Sequence, residues 1–349
     1  MHLKRTLSVL AIAAVATMAK DYSGAELYTN DTWMYGKFEA RMQMAAGSGT
    51  VSSMFLYYND SYIGPPEPWV EIDIEILGKN PNSFQSNIIT GCGPTDETKI
   101  KSEKHHPINP ASNASFHTYG IEWTPDYVAW TLDGQVVRKT IKGQNDKNQV
   151  EDLGKRRQDL RFNLWSHEDA GWVGAWNDNI LPVYQFINWV KTYKYTPGKG
   201  PNGSDFTLDW KDNFETFDRS RWNLGDWTFD GNRVDISPNN VYAKDGMVII
   251  ALTRKGQESF SGQVPQDPEG DAEFNNGQQQ QSSSSEQFNQ SSSSQETNLF
   301  GSSSSSTEPT GILQNRAKLQ NKEVRGTVNA KGVRVNPNNK ANYQVDFNF

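Results

Sequence analysis

The chain has 349 residues, enough for one large domain with appendages or for two domains. Charged residues make up 21% and the formal net charge is −7, which argues against a surface built for nucleic acid. One cysteine, Cys92, excludes an intrachain disulfide.

The first 19 residues, "MHLKRTLSVLAIAAVATMA", have the pattern of a secretory signal peptide. Lys4 and Arg5 form the basic region, and Leu7 to Ala16 the apolar one. Small residues follow, where a peptidase could cut. The apolar run is too short to span a bilayer, and no other segment is a candidate span. An exported, soluble monomer is expected. Without disulfides it needs a large core or a bound ion.

Residues 20–258 have the composition of a folded domain. Short runs of β-branched and aromatic residues are separated by Gly, Pro, Asn and Asp. The first informative run is "PWVEIDIEILGK", Pro68 to Lys79. Side chains alternate faces along a strand, so Glu71, Asp73 and Glu75 share one face and Ile72, Ile74 and Ile76 the other. The isoleucines belong to a core. A solvated face is the ordinary reason for alternating acids. Yet Asp and Glu are poor strand formers and aligned like charges repel, so a purely structural strand gains nothing from three of them. Phe55, Tyr57, Tyr58, Tyr62 and Trp69 surround the motif.

Geometry gives the acids a use. Glu71 and Glu75 lie four residues apart, ~13 Å between Cα atoms at ~3.3 Å per residue. A concave strand tips their side chains together, toward the ~5–6 Å of a retaining glycosidase pair. Three carboxyls in one site cannot all ionise cheaply, so at least one keeps its proton near neutrality. One Glu would be the nucleophile and the other the acid/base, with Asp73 tuning between them. The spacing does not decide which Glu does which.

Further along, Phe84 to Thr90 is strand-like. Tyr127 to Val137 is predicted as a hairpin turning at Asp133-Gly134. Phe186 to Tyr195 is strand-like, and Ala243 to Thr253 is a strand led in by Asp245-Gly246. No stretch sustains a long helical period. Many short strands with frequent turns predict an all-β, antiparallel sandwich. The 11 tryptophans all fall between Trp33 and Trp227, suiting a β-rich core and a groove that stacks on sugar rings. Residues 259–310 are rich in Ser and Gln, with three serine tracts, and are predicted to be a disordered linker. Residues 311–349 hold seven Lys/Arg against two Asp/Glu and contain strand-like pieces. This tail is either a solvated basic segment or a small attachment or sorting module that contacts a cell surface or other proteins.

"WVEIDIEILGKNP" resembles the active-site strand of glycoside hydrolase family 16. "YGKFEARMQMA", "GTVSSMFLYYN", "FHTYGIEWTPDYVAWTLDG" and "RFNLW" agree, and together resemble the bacterial 1,3-1,4-β-glucanases, or lichenases. The likeness covers nearly all of residues 20–260. One feature is out of order: "DNFETFDRSRW", which usually stands near the N-terminus, here follows "WVKTYKY". That order, the serine-tract linker and the basic tail resemble the naturally circularly permuted lichenases of the Fibrobacter type. A sandwich with nearby termini tolerates such a permutation, since only a loop moves.

The resemblance implies a jelly-roll, concanavalin A-like sandwich with an open cleft on a concave sheet. It implies Glu71 as nucleophile, Glu75 as acid/base and Asp73 as the assisting carboxylate. It places Phe55, Tyr57, Asn59, Gln85, Asn87, Arg161, Asn163, Trp165, Asp226 and Trp227 in the groove. It also implies a structural calcium ion at Asn188, Asn213 and Gly246, whose neutral oxygens suit a hard cation; no cofactor is implied for catalysis. The expected substrate is mixed-linkage β-glucan, cut at β-1,4 bonds next to β-1,3-linked glucose. The E-x-D-x-E spacing lacks the extra bulge residue of laminarinase-type relatives. A xyloglucan hydrolase or transglycosylase is the alternative within the family, and a non-catalytic carbohydrate-binding sandwich the alternative outside it. Cys92 lies outside the family pattern and receives no role. The loop from Asn59 to Pro68 is placed to alter cleft shape.

Overall fold

The computed structural model describes residues 19–270, apart from 94–97, 145 and 268–269, together with two short strands, Thr327–Val328 and Arg334–Val335, that pair with each other. The expected signal peptide, most of the linker and most of the basic tail lie outside the described residues.

The domain is an antiparallel sandwich of jelly-roll type. In chain order its strands are β1 (Tyr22–Thr29), β2 (Gly36–Gln43), β3 (Thr50–Tyr57), β4 (Pro68–Leu77), β5 (Ser83–Cys92), β6 (Lys99–Lys101), β7 (Lys104–Pro107), β8 (His117–Trp123) and β9 (Tyr127–Leu132). There follow β10 (Gln135–Ile141), β11 (Asp159–Ser166), β12 (Val183–Tyr195), β13 (Phe206–Asp212), β14 (Trp222–Leu224), β15 (Val234–Ile236), β16 (Val241–Lys244) and β17 (Met247–Arg254). The α-helices among the described residues are single turns, Gln149–Leu153 and Ala170–Val173.

One sheet runs β14–β1–β11–β3–β4–β5, with β6 and β7 both pairing to β5. The other runs β10–β9–β8–β2–β12–β17–β16, with β13 beside the second half of β12. Between them lies a core in which Ile72, Ile74, Ile76, Phe38, Phe162, Trp123 and Trp130 are fully buried. The period-two pattern of β4 is what sends its isoleucines inward and its acids outward. The sheets are also fastened by polar contacts. Trp130 Nε1 on β9 donates to the Asp73 carbonyl at 2.9 Å. Arg138 stacks on Trp130 and donates to the Ser86 carbonyl.

Both Asp-Gly pairs adopt positive φ at each residue, 49° and 76° at Asp133-Gly134 and 51° and 70° at Asp245-Gly246. They are the primed turns that match strand twist. The second is therefore a full hairpin joining β16 to β17.

The predicted linker start at Ser259 is too early. Phe260 packs against Tyr184, Phe186 and Tyr242. Asp267 is 6% exposed and accepts two hydrogen bonds from Arg41 and one from Asn188, each 2.9 Å. The segment after β17 is thus a strap across the second sheet, held by one aromatic and one acid within a polar sequence. Burial opposes ionisation of Asp267, but the Arg41 and Asn188 bonds outweigh it and hold the carboxyl below its ordinary range. Asp267→Ala would leave the Arg41 guanidinium buried without this partner, and is expected to lower stability by ~3 kcal/mol in urea unfolding at neutral pH. A depressed carboxyl stabilises above its unfolded pKa and loses that contribution as pH falls through its folded one, so the gap between wild type and variant should close in acid, below pH ~4.

Candidate active site

The cleft lies on the sheet built around β4, and strand register assembles it. Opposite residues across β5, β4, β3, β11 and β1 form rows on one face. One row is Gln85, Glu75, Ser53, Asn163 and Glu26. The next is Asn87, Asp73, Phe55, Arg161 and Tyr28. The third is Ile89, Glu71, Tyr57 and Asp159. A period of two in each strand puts these side chains on the same surface.

The cleft has a volume of about 510 Å³. Glu71, Asp73 and Glu75 all line it, as do Phe55, Tyr57, Asn59, Gln85, Asn87, Arg161, Asn163, Trp165, Asp226 and Trp227. The groove residues expected from the sequence are therefore brought together. Asn59 and Asp226 stand exposed at its edge, while Phe55, Gln85, Asn87, Arg161 and Asn163 are buried in its floor. Tyr62, from the loop ahead of β4, joins the lining.

The three carboxyls have different environments. Trp69 Nε1 donates to Glu71 at 2.7 Å. Burial raises the Glu71 pKa, while the Trp69 bond, Lys99 and Arg161 restrain the rise. Gln85 Nε2 donates to Glu75 at 2.8 Å, and Trp172 Nε1 in turn donates to Gln85 at 3.2 Å, fixing which way the amide points. Burial, then the charges of Glu71 and Glu103, push Glu75 up to about 8, against the pull of Lys101. Asp73 is raised well above the usual carboxylate range by burial and by both glutamates. Its neighbour Glu71 is lowered by it in turn, so the two carboxyls are pushed apart in how easily each ionises. Glu75 thus holds its proton near neutrality, Asp73 is pushed in the same direction, and Glu71 is held toward its ionised form by an indole N–H and two nearby cations.

Sequence reasoning missed much of one wall of the cleft. Glu26 is fully buried and accepts from Arg161 at 3.0 Å, Trp227 Nε1 at 3.2 Å and Asn163 at 3.4 Å. Arg161 also grips Asp159 through two bonds and Asn59 through one. A buried charge needs such partners, and here they fix the tilt of Trp227. Trp165 packs against Trp172 and Phe229, and Phe229 stacks on Trp227 at 5.8 Å. The Lys20 ammonium donates to the carbonyls of Phe229 and Asn232, tying that loop to the start of the domain. The one local signal for Glu26 was a lone acid in the apolar run "GAELYT".

Comparison with known proteins agrees with the geometry. The family model for glycosyl hydrolases family 16 matches residues 4–179. A beta-glucanase of Fibrobacter succinogenes is 60% identical over 356 aligned positions, covering 99% of each chain. The chain belongs to glycosyl hydrolases family 16. A beta-glucanase of Brevibacillus brevis is 35% identical over 190 residues, covering 54% of this chain and 66% of that protein. Among solved structures, a Bacillus licheniformis beta-glucanase aligns with 27% identity and a TM-score of 0.41, over 50% of this chain and 78% of that one. This family 16 member is a β-glucanase-type glycoside hydrolase.

Asn188, Asn213 and Gly246 lie on the other sheet. Asn188 is buried at a bulge in β12 and stands one residue beyond the Ile187–Val248 pair, beside the Asp245-Gly246 turn. Asn213 follows the last residue of β13. A Cβ on Gly246 would sit 3.9 Å from the Asn213 carbonyl oxygen. Gly246 and Asn213 therefore lie close together with Asn188 on the neighbouring strand, and backbone and amide oxygens of such residues are donors a hard cation accepts.

Cys92 ends β5 as an exposed free thiol.

Proposed function

We propose that this protein is an exported endo-1,3-1,4-β-D-glucanase of the licheninase type, cutting β-1,4 bonds next to β-1,3-linked glucose with retention of configuration. The observation carrying the reading is the pairing of an ionisable Glu71 with a proton-holding Glu75 on one strand face, in a cleft walled by Trp165, Trp227 and Phe229. Aromatic faces suit stacking on sugar rings, and the amides and Arg161 suit hydroxyls.

Glu71 attacks the anomeric carbon while Glu75 gives its proton to the departing glycosidic oxygen. The bond to the leaving sugar breaks and a glycosyl ester on Glu71 forms. Glu75, now ionised, takes a proton from water as that water attacks the same carbon, and Glu71 leaves as carboxylate. Asp73 donates to the Glu71 carboxylate and spreads its charge. Two inversions return the starting configuration.

The companion readings are a signal peptide at residues 1–19, a monomer, and a permuted strand order. The permutation is supported by the family match ending at residue 179 and by the pairing of Tyr22 with Arg254, which puts the two ends of the domain side by side. A structural calcium ion would be held by the neutral oxygens of Asn188, Asn213 and Gly246, on the sheet away from the acid row. Calcium should then raise the melting temperature, with ~2.7 kcal/mol added at a hundredfold excess over its dissociation constant, and chelation should reverse it in calorimetry. An unchanged transition would remove the ion from the account.

The deciding experiment is hydrolysis of barley β-glucan beside curdlan, carboxymethylcellulose and xyloglucan, with proton NMR of the first reducing ends. Release of the β-anomer from barley β-glucan alone is expected. An α-anomer would refute retention, preference for xyloglucan or curdlan would refute the linkage, and inertness on every glucan would leave a binding module.

A further inference from the structure

We propose that Lys99 is a positioning residue for the nucleophile, acting through the ring of Trp69. It rests on the reading of Glu71 as nucleophile.

The placement comes from register. Trp69 on β4 pairs with Gly91 on β5, and Gly91 pairs with Lys99 on β6. Gly91 has no side chain and adopts φ +112°, and a Cβ there would meet the Thr98 carbonyl at 2.1 Å. The Lys99 side chain therefore lies across an open step in the row. Its ammonium sits 3.4 Å from the centre of the Trp69 ring. At the edge of that ring, Nε1 donates to Glu71 Oε2 at 2.7 Å. Tyr57 braces the same ring edge-on at 5.7 Å.

A cation on an indole face draws density from the ring. The N–H becomes more polar, and its bond to an ionised carboxylate strengthens more than its bond to a neutral one. The cation also fixes the tilt of the ring, and so the direction of the N–H. Both effects favour Glu71 as carboxylate, the form needed to attack and the form in which it leaves. Other titratable groups surround Glu71: Asp73 and Glu75 on its own strand, the neutral phenol Tyr57 on β3 and Arg161 on β11 act on it, Lys101 on β6 and Asp159 on β11 stand in its register row, and Glu26 on β1 acts on Tyr57. Lys99 is the cation set on the face of the indole that hydrogen-bonds to the nucleophile.

The test is the pH profile of kcat/KM on barley β-glucan for wild type, Lys99→Met, Lys99→Arg, Trp69→Phe and the double variant Trp69→Phe/Lys99→Met. Methionine keeps the stem and loses the charge. The acid limb should move up by about half a unit to one unit in Lys99→Met, as expected when a nearby opposite charge is removed, and return in Lys99→Arg. With phenylalanine at 69 the ring stays but the N–H is gone, so removing the Lys99 charge should then move the limb by less than half as much. An acid limb that stays put in Lys99→Met, with rates falling evenly at all pH, would reduce Lys99 to loop packing and overturn the proposal alone. Equal shifts with Trp and Phe at 69 would mean that the charge acts through space and not through the indole, which also overturns it. A wild type inert on all glucans would instead remove the reading on which the proposal rests.

Discussion

Glu71→Gln is expected to lower kcat on barley β-glucan by ~10⁴ or more, a loss of ~5 kcal/mol of transition-state stabilisation. The change is nearly isosteric, so Trp69 keeps an oxygen to donate to, and the fold should survive with KM little changed. What disappears is the oxygen pair that forms the ester. The diagnostic is chemical rescue of Glu71→Ala. Azide placed in the vacated space attacks the anomeric carbon once, with a single inversion, and should yield an α-glycosyl azide from an activated β-glycoside. A β-glycosyl azide, or full activity in Glu71→Gln, would reverse the assignment of the two glutamates.

Glu75→Gln should behave differently, because a proton donor matters in proportion to how poor the leaving group is. On barley β-glucan a fall in kcat of ~10³ is expected, since the departing sugar hydroxyl needs the proton. An aryl glycoside with an acidic phenol leaves without help, so formation of the ester should be spared and its hydrolysis become slow. Wild-type activity should fall as pH rises through about 8, where Glu75 gives up its proton. Glutamine cannot titrate, so this limb should vanish in the variant. A retained basic limb would place the donor elsewhere. The same residue has a thermodynamic signature. Its folded pKa is raised above the ordinary value of 4.5, so its contribution to stability is fully present below about that pH and is lost as pH rises through about 8. Glu75→Gln should therefore melt higher than wild type at alkaline pH, the expected trade between a tuned site and a relaxed one.

The acid-bearing strand was legible because its signal is local. Acid and isoleucine alternate over six residues, and no other arrangement satisfies both faces. The Asp-Gly turns were legible for the same reason. The groove residues came from resemblance over whole segments, and the sheet brings them to one cleft. Glu26 escaped because its meaning lies in Arg161 and Trp227, over a hundred positions away. Lys99 and Trp172 escaped because both lie in short, irregular stretches whose register depends on distant strands. The strap was misread because Phe260 and Asp267 sit in a polar context that merges with the serine-rich segment. A single buried acid carries no period and is recognisable only once Arg41 is seen beside it.

Register shifts among the described strands are confined to one side of the sandwich. They fall between β9 and β10, between β12 and β13, and between β12 and β2. The pairings of β1, β11, β3, β4 and β5 run without one. The two layers therefore differ in their tolerance of length change. One layer already absorbs extra residues as local dislocations, at three of its pairings, while its outward face carries the strap and no acid row. In the other, a single added residue between Glu71 and Glu75 would turn part of the acid row toward the isoleucine core and scramble every row that crosses it. Sequence drift in length should accumulate in the first layer and in the loops, while the second behaves as a ruled template whose lines cannot be moved one at a time.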